Sequence, residues 1–306
     1  MPKKKYAFAD EYKHQWVTLV TNTLAMRLYR PIASLMIACT RPQKDLETTS
    51  FEVAGTQGKK VKTKMFQPKG AKEALPCIID FHGGAFCYKA SPYQLNLAYL
   101  YAQNCHCKIV FPDYHLMPKY RFPHAFTDAE AVTEYVLENA ESLGIRKDDI
   151  IVMGDSAGGA LAAYMANRYG EKLKAEVLLY PVTEYGMDDD SMKEYTDTPC
   201  WNSKRHKKLI TMYLDGADLD EINDVAPLYS PIKETIPRAY VETAYFDCLR
   251  DQGVNYAKRL KNQGVDTLFI QTQGTPHGYD MNLKTSVSKK CIESRISFIN
   301  SVFESR

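Results

Sequence analysis

The sequence predicts an α/β protein with a mostly parallel central sheet that helices cover on both faces. From about residue 60 onward, short apolar or β-branched runs alternate with helix-like segments. The chain has 306 residues and is 45% hydrophobic, which is enough to bury a large core. No low-complexity linker divides it. We therefore expect one large catalytic domain with an inserted cover and not two separate domains.

Seven segments have the composition of strands. The first, 60–67, alternates polar and apolar residues as a half-exposed strand does. The others are short and almost entirely apolar or β-branched, as is typical of strands buried on both faces: 77–81, 108–111, 150–153, 175–180, 239–243 and 267–271.

Helices are predicted between these strands. Thr127 and Glu130 have the spacing of a capping box, and Gly144 is the expected stop of the helix that follows. A second helix is expected to begin near Asp251 and to end at Gly264. The last helix has an apolar stripe formed by Ile292, Ile296, Ile299 and Phe303.

Two regions do not follow the alternation. Residues 1–50 and 184–226 contain few strand-like runs, and together they are predicted to form a helical cap or lid. The catalytic domain would then comprise 51–183 and 227–306. The apolar residues at roughly helical spacing in the first region are Tyr12, Trp16, Leu19, Leu24, Met26 and Leu28.

Charge and hydropathy argue against nucleic acid and against stable membrane insertion. The net charge is only +2, and the basic run Lys3–Lys5 is too short to change this. No stretch approaches the roughly 18 apolar residues of a spanning helix, and no apolar segment of an export signal follows the basic run. We therefore expect a soluble, cytoplasmic protein.

The cysteines are predicted to be reduced and structural. There are eight, without the dense spacing of a disulfide framework. The triplet Cys105–Cys107, which contains His106, has no second Cys or His pair at zinc spacing. No metal site is expected.

A serine in 151–159 carries the main functional signal. Here an apolar run ends at Gly154, and Ser156 stands within a Gly-x-Ser-x-Gly pentad that closes at Gly158. A serine nucleophile needs a sharp strand-to-helix turn, and small neighbours permit it. Ser156 is therefore the predicted nucleophile.

His277 is the predicted base. It follows the strand predicted at 267–271, whereas His206, the other histidine beyond the serine, lies in the lysine-rich lid segment. For the orienting acid, Asp247 is favoured because it comes just after a strand, at the edge where sites of α/β proteins form. Asp251 is interpreted as a helix cap, and Glu242 lies within the strand.

The oxyanion hole is predicted where the strand at 77–81 runs into a glycine pair. Gly83 and Gly84 let backbone N–H groups approach a ligand closely, and the residue after the nucleophile, Ala157, supplies a further donor. His82 is expected to brace this loop through hydrogen bonds.

The chain resembles the hormone-sensitive-lipase-like branch of the α/β-hydrolases. The resemblance rests on six motifs in the right order, at 82–84, 112–123, 154–159, 179–183, 246–251 and 276–278. It implies an α/β-hydrolase fold with a helical cap and assigns the same triad and oxyanion donors. Two departures concern pocket shape: Ala85 stands at the usual third glycine, and Cys248 at the usual proline after the acid.

The predicted reaction is hydrolysis of a carboxylic ester through an acyl-enzyme, without metal or organic cofactor. An amidase, formamidase or peptidase could use the same groups, and a non-catalytic binding protein on this scaffold is the third alternative. The resemblance implies small or medium acyl chains and allows a homodimer. Phe86 is the predicted pocket residue, whereas packing is expected for the lid residues Tyr185, Met187, Trp201 and Tyr213.

Overall fold

The computed structural model describes residues 6–13, 21–42, 44–232 and 238–305. The basic run Lys3–Lys5 and two of the residues at helical spacing, Trp16 and Leu19, lie outside these ranges.

The described chain is organised around an eight-stranded sheet in the order β1-β2-β4-β3-β5-β6-β7-β8. The strands are β1 (Leu46–Ala54), β2 (Lys60–Pro68), β3 (Leu75–Phe81), β4 (Lys108–Asp113), β5 (Ile145–Asp155), β6 (Ala175–Leu179), β7 (Arg238–Phe246) and β8 (Thr267–Pro276). The β1-β2 and β2-β4 pairs are antiparallel, and all the others are parallel. The predicted fold class is confirmed.

Helices cover both faces of the sheet. They are α1 (Thr23–Cys39), α2 (Pro92–Asn104), α3 (His124–Glu138), α4 (Ala157–Tyr169), α5 (Asp190–Glu194), α6 (Ser203–Tyr213), α7 (Leu219–Val225), α8 (Arg250–Asn262) and α9 (Ser286–Glu304). Adjacent strand residues point to opposite faces, so Ile79 packs with α3, α4 and α8, whereas Ile78 packs with α2 and α9. The apolar layers on the two faces of the sheet fix its carboxyl edge, where the parallel strands end.

Strand β1 was not predicted. Only two of its nine residues, Leu46 and Val53, are buried, because it is an edge strand of the sheet. Its backbone nevertheless pairs with β2 along its whole length, from Leu46 opposite Pro68 to Ala54 opposite Lys60. The boundary predicted between residues 50 and 51 therefore cuts a strand and is wrong at that position.

The capping box predicted at Thr127 is also wrong, because α3 begins earlier. Thr127 N–H already donates a helical hydrogen bond of 3.1 Å to Pro123 O. The next residue, Asp128, is fully buried and accepts instead from the backbone N–H groups of Thr56 and His115, at 2.8 and 2.7 Å. Its carboxylate thus connects α3 to two loops, a role that requires the folded chain.

A buried ion cluster lies between the sheet and α9. The Arg295 guanidinium donates to Glu242 Oε1 at 2.5 Å and to Asp280 Oδ2 at 2.8 Å, and all three side chains are fully buried. Tyr180 O–H donates to Asp280 Oδ1 at 2.6 Å. Burying charges is tolerated when each is paired, so the three groups depend on one another.

The two regions predicted to form the cap supply α1, α5, α6 and α7. Lys208 Nζ of α6 lies 3.2 Å from Thr21 Oγ1, just before α1, so the two regions are neighbours in space. The cap boundaries predicted at residues 183/184 and 226/227 remain predictions.

Among the helices of the described ranges, none has both the length and the apolar character to cross a bilayer.

His206 of α6 gives a pH-dependent prediction. Burial lowers the pKa of His206 from 6.5 to about 3, and neither ring nitrogen has a hydrogen-bond partner among the described residues. Between these values the unfolded chain binds a proton here and the folded chain does not, so stability falls as pH falls. Between pH 8 and 4.5 the unfolding free energy of the parent should fall by roughly 2–3 kcal/mol because of this group, and His206→Leu should not show this part of the fall.

Urea unfolding at the two pH values measures this effect. His206→Gln is the matched control, since it also removes the titration but keeps a buried polar group. It should flatten the pH dependence equally while lowering stability at both pH values. An unchanged pH dependence in both variants would contradict the prediction.

Candidate active site

The turn between β5 and α4 presents Ser156 at the carboxyl edge of the sheet. Ser156 has φ +54° and ψ −115°, and its N–H donates to Leu179 O at 2.9 Å. A Cβ added to Gly158 would lie 1.8 Å from Phe81 O, and one added to Gly154 would lie 2.2 Å from Gly158 O. The two glycines therefore allow the backbone contacts that hold the serine in its strained conformation.

Three predicted residues form one hydrogen-bonded series. His277 Nε2 lies 3.0 Å from Ser156 Oγ, and His277 Nδ1 lies 2.6 Å from Asp247 Oδ2. Nδ1–H donates to the carboxylate, which leaves Nε2 to accept the serine proton. Asp247 is fully buried, and its other oxygen accepts the Leu249 N–H at 3.0 Å. This second bond fixes the carboxylate's orientation.

The competing acids have other partners. Glu242 pairs with Arg295 in the buried ion cluster. Asp251 accepts the Ser191 N–H at the start of α5 and the Arg250 Nε–H, both at 2.8 Å. Asp251 lies in the first turn of α8, but its carboxylate caps α5. The folded chain places the start of α5 next to this carboxylate.

His82 braces the loop after β3, as its position predicted. Its Nδ1–H donates to Gly83 O at 2.7 Å, and its ring stacks on Tyr114 with centroids 4.5 Å apart. Burial lowers the pKa of His82, which favours the neutral ring. Tyr114 O–H in turn donates to the His82 carbonyl at 2.7 Å.

The oxyanion prediction needs one correction. The Gly83 N–H donates to Asp155 Oδ1 at 2.7 Å, so it is not free to bind an oxyanion. The backbone N–H groups of Gly84, Ala85 and Ala157 donate to no other described residue. Gly84 and Ala85 line the same cavity as Ser156, and Ala157 is the next residue in the chain. The available donors are therefore Gly84, Ala85 and Ala157, of which Ala85 was missed.

Asp155 organises this loop although no pattern marked it. Besides Gly83, it accepts from Gln94 Nε2 at 2.9 Å. Burial raises the pKa of Asp155 to about 6, against the lowering effect of its Gln94 and Gly83 donors. Ala85 itself has φ +53°, a region that L-residues rarely adopt. The loop is thus held by a carboxylate from the turn that carries Ser156.

A cavity of about 200 Å³ opens onto Ser156 and His277. Its walls come from the oxyanion loop, from α1 and from the segment before α6: Gly84, Ala85, Tyr88, Tyr29, Cys200 and Trp201. Trp201 therefore lines the site, whereas Tyr213 is buried in packing as expected. Burial raises the pKa of the Cys200 thiol to about 12, so it stays protonated and does not compete as a nucleophile.

Phe86 does not line this cavity, so the pocket prediction is wrong. Its side chain is fully buried and stacks on Tyr213, with ring centroids 4.2 Å apart and planes within 5°. The reason is backbone conformation: Phe86 has φ +56°, directly after the positive φ of Ala85, and the ring points into the core between the sheet and the lid. A sequence pattern does not reveal this turn.

A parallel sheet with a serine at a tight β5–α4 turn, contacted by a histidine and a buried aspartate from later strands, defines the class of α/β hydrolases. A family model described as alpha/beta hydrolase fold matches residues 78–281, about two thirds of the chain. The chain belongs to this family.

The individual similarities agree with this. The chain is 33% identical over 220 residues to an arylesterase of Saccharolobus solfataricus, covering 68% of this chain and 70% of the relative. It is 30% identical over 244 residues to the esterase LipI of Mycobacterium tuberculosis, covering 77% and 75%. A thermostable esterase from Pseudomonas putida has the same fold, with a TM-score of 0.84, 24% identity and coverage of 95% and 94%.

Proposed function

We propose that this protein is a carboxylesterase that hydrolyses esters of small to medium acyl chains through an acyl-enzyme on Ser156. The observation that carries the proposal is the continuous contact from Ser156 Oγ through His277 to Asp247, open to a cavity. The relatives named arylesterase and esterase support an ester as substrate.

In the first half-reaction, His277 Nε2 takes the hydroxyl proton of Ser156 as Oγ attacks the ester carbonyl carbon. The negative charge that develops on the carbonyl oxygen is held by the N–H groups of Gly84, Ala85 and Ala157. Asp247 stabilises the imidazolium. The C–O bond to the alcohol then breaks, and His277 returns the proton to the leaving alkoxide.

In the second half-reaction, water takes the place of the alcohol. His277 removes a proton from it as its oxygen attacks the acyl carbon, and the same donors hold the second oxyanion. Collapse releases the carboxylic acid and returns the proton to Ser156. All these steps use side chains and N–H groups already present in the site.

The cavity supports small substrates. Its volume of about 200 Å³ is below the usual range of about 300–1,000 Å³ for drug-sized ligands. The Trp201 indole closes one side of it at 6.1 Å from the His277 ring, measured between centroids. We therefore expect a preference for short esters over long ones.

A p-nitrophenyl ester series from acetate to decanoate tests the proposal. The value of kcat/KM should be highest at short chains and fall by at least about tenfold toward decanoate, since a small apolar pocket discriminates by methylene groups. p-Nitroacetanilide serves as the matched amide. Hydrolysis of the anilide at a rate comparable with the acetate ester would identify an amidase instead, and turnover of neither would favour a binding protein.

A further inference from the structure

One helix of the cap turns an apolar face to solvent. Nine large apolar side chains are exposed in the described ranges, and six of them belong to α1. They are Leu24 (64% exposed), Leu28 (66%), Tyr29 (38%), Ile32 (56%), Leu35 (65%) and Met36 (43%). Leu24, Leu28, Ile32 and Leu35 follow one another at intervals of four, four and three residues, so they form one stripe along the helix.

The opposite face of α1 is fixed to the body of the protein. Met26 and Ala33 are buried beneath the helix, and the Arg30 guanidinium donates to Leu116 O at 3.2 Å. The ring of Tyr29 meets that of Tyr88 edge-on, with centroids 6.3 Å apart. The apolar stripe therefore faces solvent. Exposure of a contiguous apolar patch to water is unfavourable, and soluble proteins normally avoid it.

Exposed cations lie on α1 and on the neighbouring α6. Arg27 and Arg41 are exposed on and just after α1, and α6 exposes Lys204, Lys207 and Lys208. Neither helix contains an acidic residue, and none of these five cations forms an ion pair with another described residue. The contact between Lys208 and Thr21 places α6 beside the start of α1. The small net charge of the chain thus conceals a local basic surface.

Helix α1 also contributes to the wall of the catalytic cavity. Tyr29 of α1 belongs to the cavity wall together with Tyr88 and Trp201. A surface that covered α1 would therefore lie close to the cavity that contains Ser156.

We propose that the α1 stripe and the basic residues around it form a docking surface for an anionic phospholipid membrane. A helix with an apolar face and flanking cations is suited to lie in the plane of a lipid interface, where the side chains enter the acyl boundary and the cations meet the headgroups. A second copy of the chain would bring two basic faces together, which like-charge repulsion disfavours. This docking is peripheral and does not depend on the proposed chemistry.

Vesicle flotation with the full chain tests the proposal. Vesicles of phosphatidylcholine with about 30% phosphatidylglycerol should bind the protein at least tenfold more strongly than pure phosphatidylcholine, and about 0.5 M NaCl should weaken the binding. Replacing Leu28, Ile32 and Leu35 together by Gln should lower binding to the anionic vesicles by more than about tenfold. Replacing Lys204, Lys207 and Lys208 by Gln should abolish the preference for anionic lipid.

The matched control is Leu219→Gln with Leu268→Gln, because these leucines are 68% and 42% exposed but lie on other elements. This variant should bind vesicles as the parent does. Circular dichroism and thermal unfolding establish that each variant is folded, so the test needs no enzymatic activity. Equal binding of the parent and the stripe variant to vesicles would overturn the proposal. It would also be overturned if the parent bound no vesicles and instead formed a dimer, seen by light scattering, that the stripe variant does not form.

Discussion

Ser156→Ala is expected to lower kcat for p-nitrophenyl butyrate by about 10⁴- to 10⁶-fold, because no other group can form the acyl-enzyme. The residual rate over water would come from the oxyanion donors and from binding of the ester in the cavity. KM should change little, since the hydroxyl contributes to attack and not to ground-state binding. Steady-state kinetics of purified parent and variant measure both constants.

Two controls make this result specific. Ser142→Ala removes an exposed serine after α3 and should leave kcat unchanged. A radiolabelled organophosphate should modify the parent and the Ser142 variant with one label per chain but leave Ser156→Ala unlabelled. A Ser156→Ala protein with a kcat within tenfold of the parent would exclude Ser156 as the nucleophile.

Arg295→Met is expected to destabilise the fold by about 3–5 kcal/mol at pH 7, since it leaves Glu242 and Asp280 buried without a counter-charge. Methionine has a comparable length and keeps much of the apolar packing, so the loss reports on charge. Urea unfolding followed by circular dichroism measures the difference in free energy. Activity should fall only as the folded fraction falls.

Neutralising the partners tests the cause. In the Arg295→Met background, Glu242→Gln together with Asp280→Asn should recover at least half of the lost stability, because uncharged amides can keep their hydrogen bonds to Tyr279 and Tyr180. The same two substitutions with Arg295 retained should destabilise, since they strand its charge. No recovery in the triple variant would indicate lost packing as the cause.

Local patterns were sufficient to predict which residues meet at the candidate site. Gly154 and Gly158 mark a tight turn in which a Cβ on Gly154 would meet Gly158 O, so the position of Ser156 could be predicted from five residues, although Gly158 also faces Phe81 O of β3. His277 and Asp247 are far from Ser156 in the chain but follow strands β8 and β7. Because the carboxyl ends of parallel strands meet at one edge, their proximity to the serine could be expected.

The sequence indicated which loop supplies the oxyanion donors, but not which of its N–H groups are free to donate. The glycine pair showed where backbone N–H groups approach a ligand. Which of them is free depends on Asp155, whose side chain reaches across from β5 to occupy the Gly83 N–H. Likewise, the positive φ values of Ala85 and Phe86 send the phenyl ring into the core, and Trp201 lines the cavity that Phe86 was expected to line.

The fold class and the meeting of Ser156 with His277 and Asp247 thus follow from hydrophobic periodicity, tight-turn sterics and strand direction, which act over a few residues or through the geometry of a parallel sheet. The edge strand β1, the free N–H groups, the pocket walls and the basic apolar surface on α1 and α6 emerge only in the folded chain. They depend on which side chains from distant segments become neighbours in the folded chain. A hydrophobic pattern or a net charge, read from the sequence, does not contain that information.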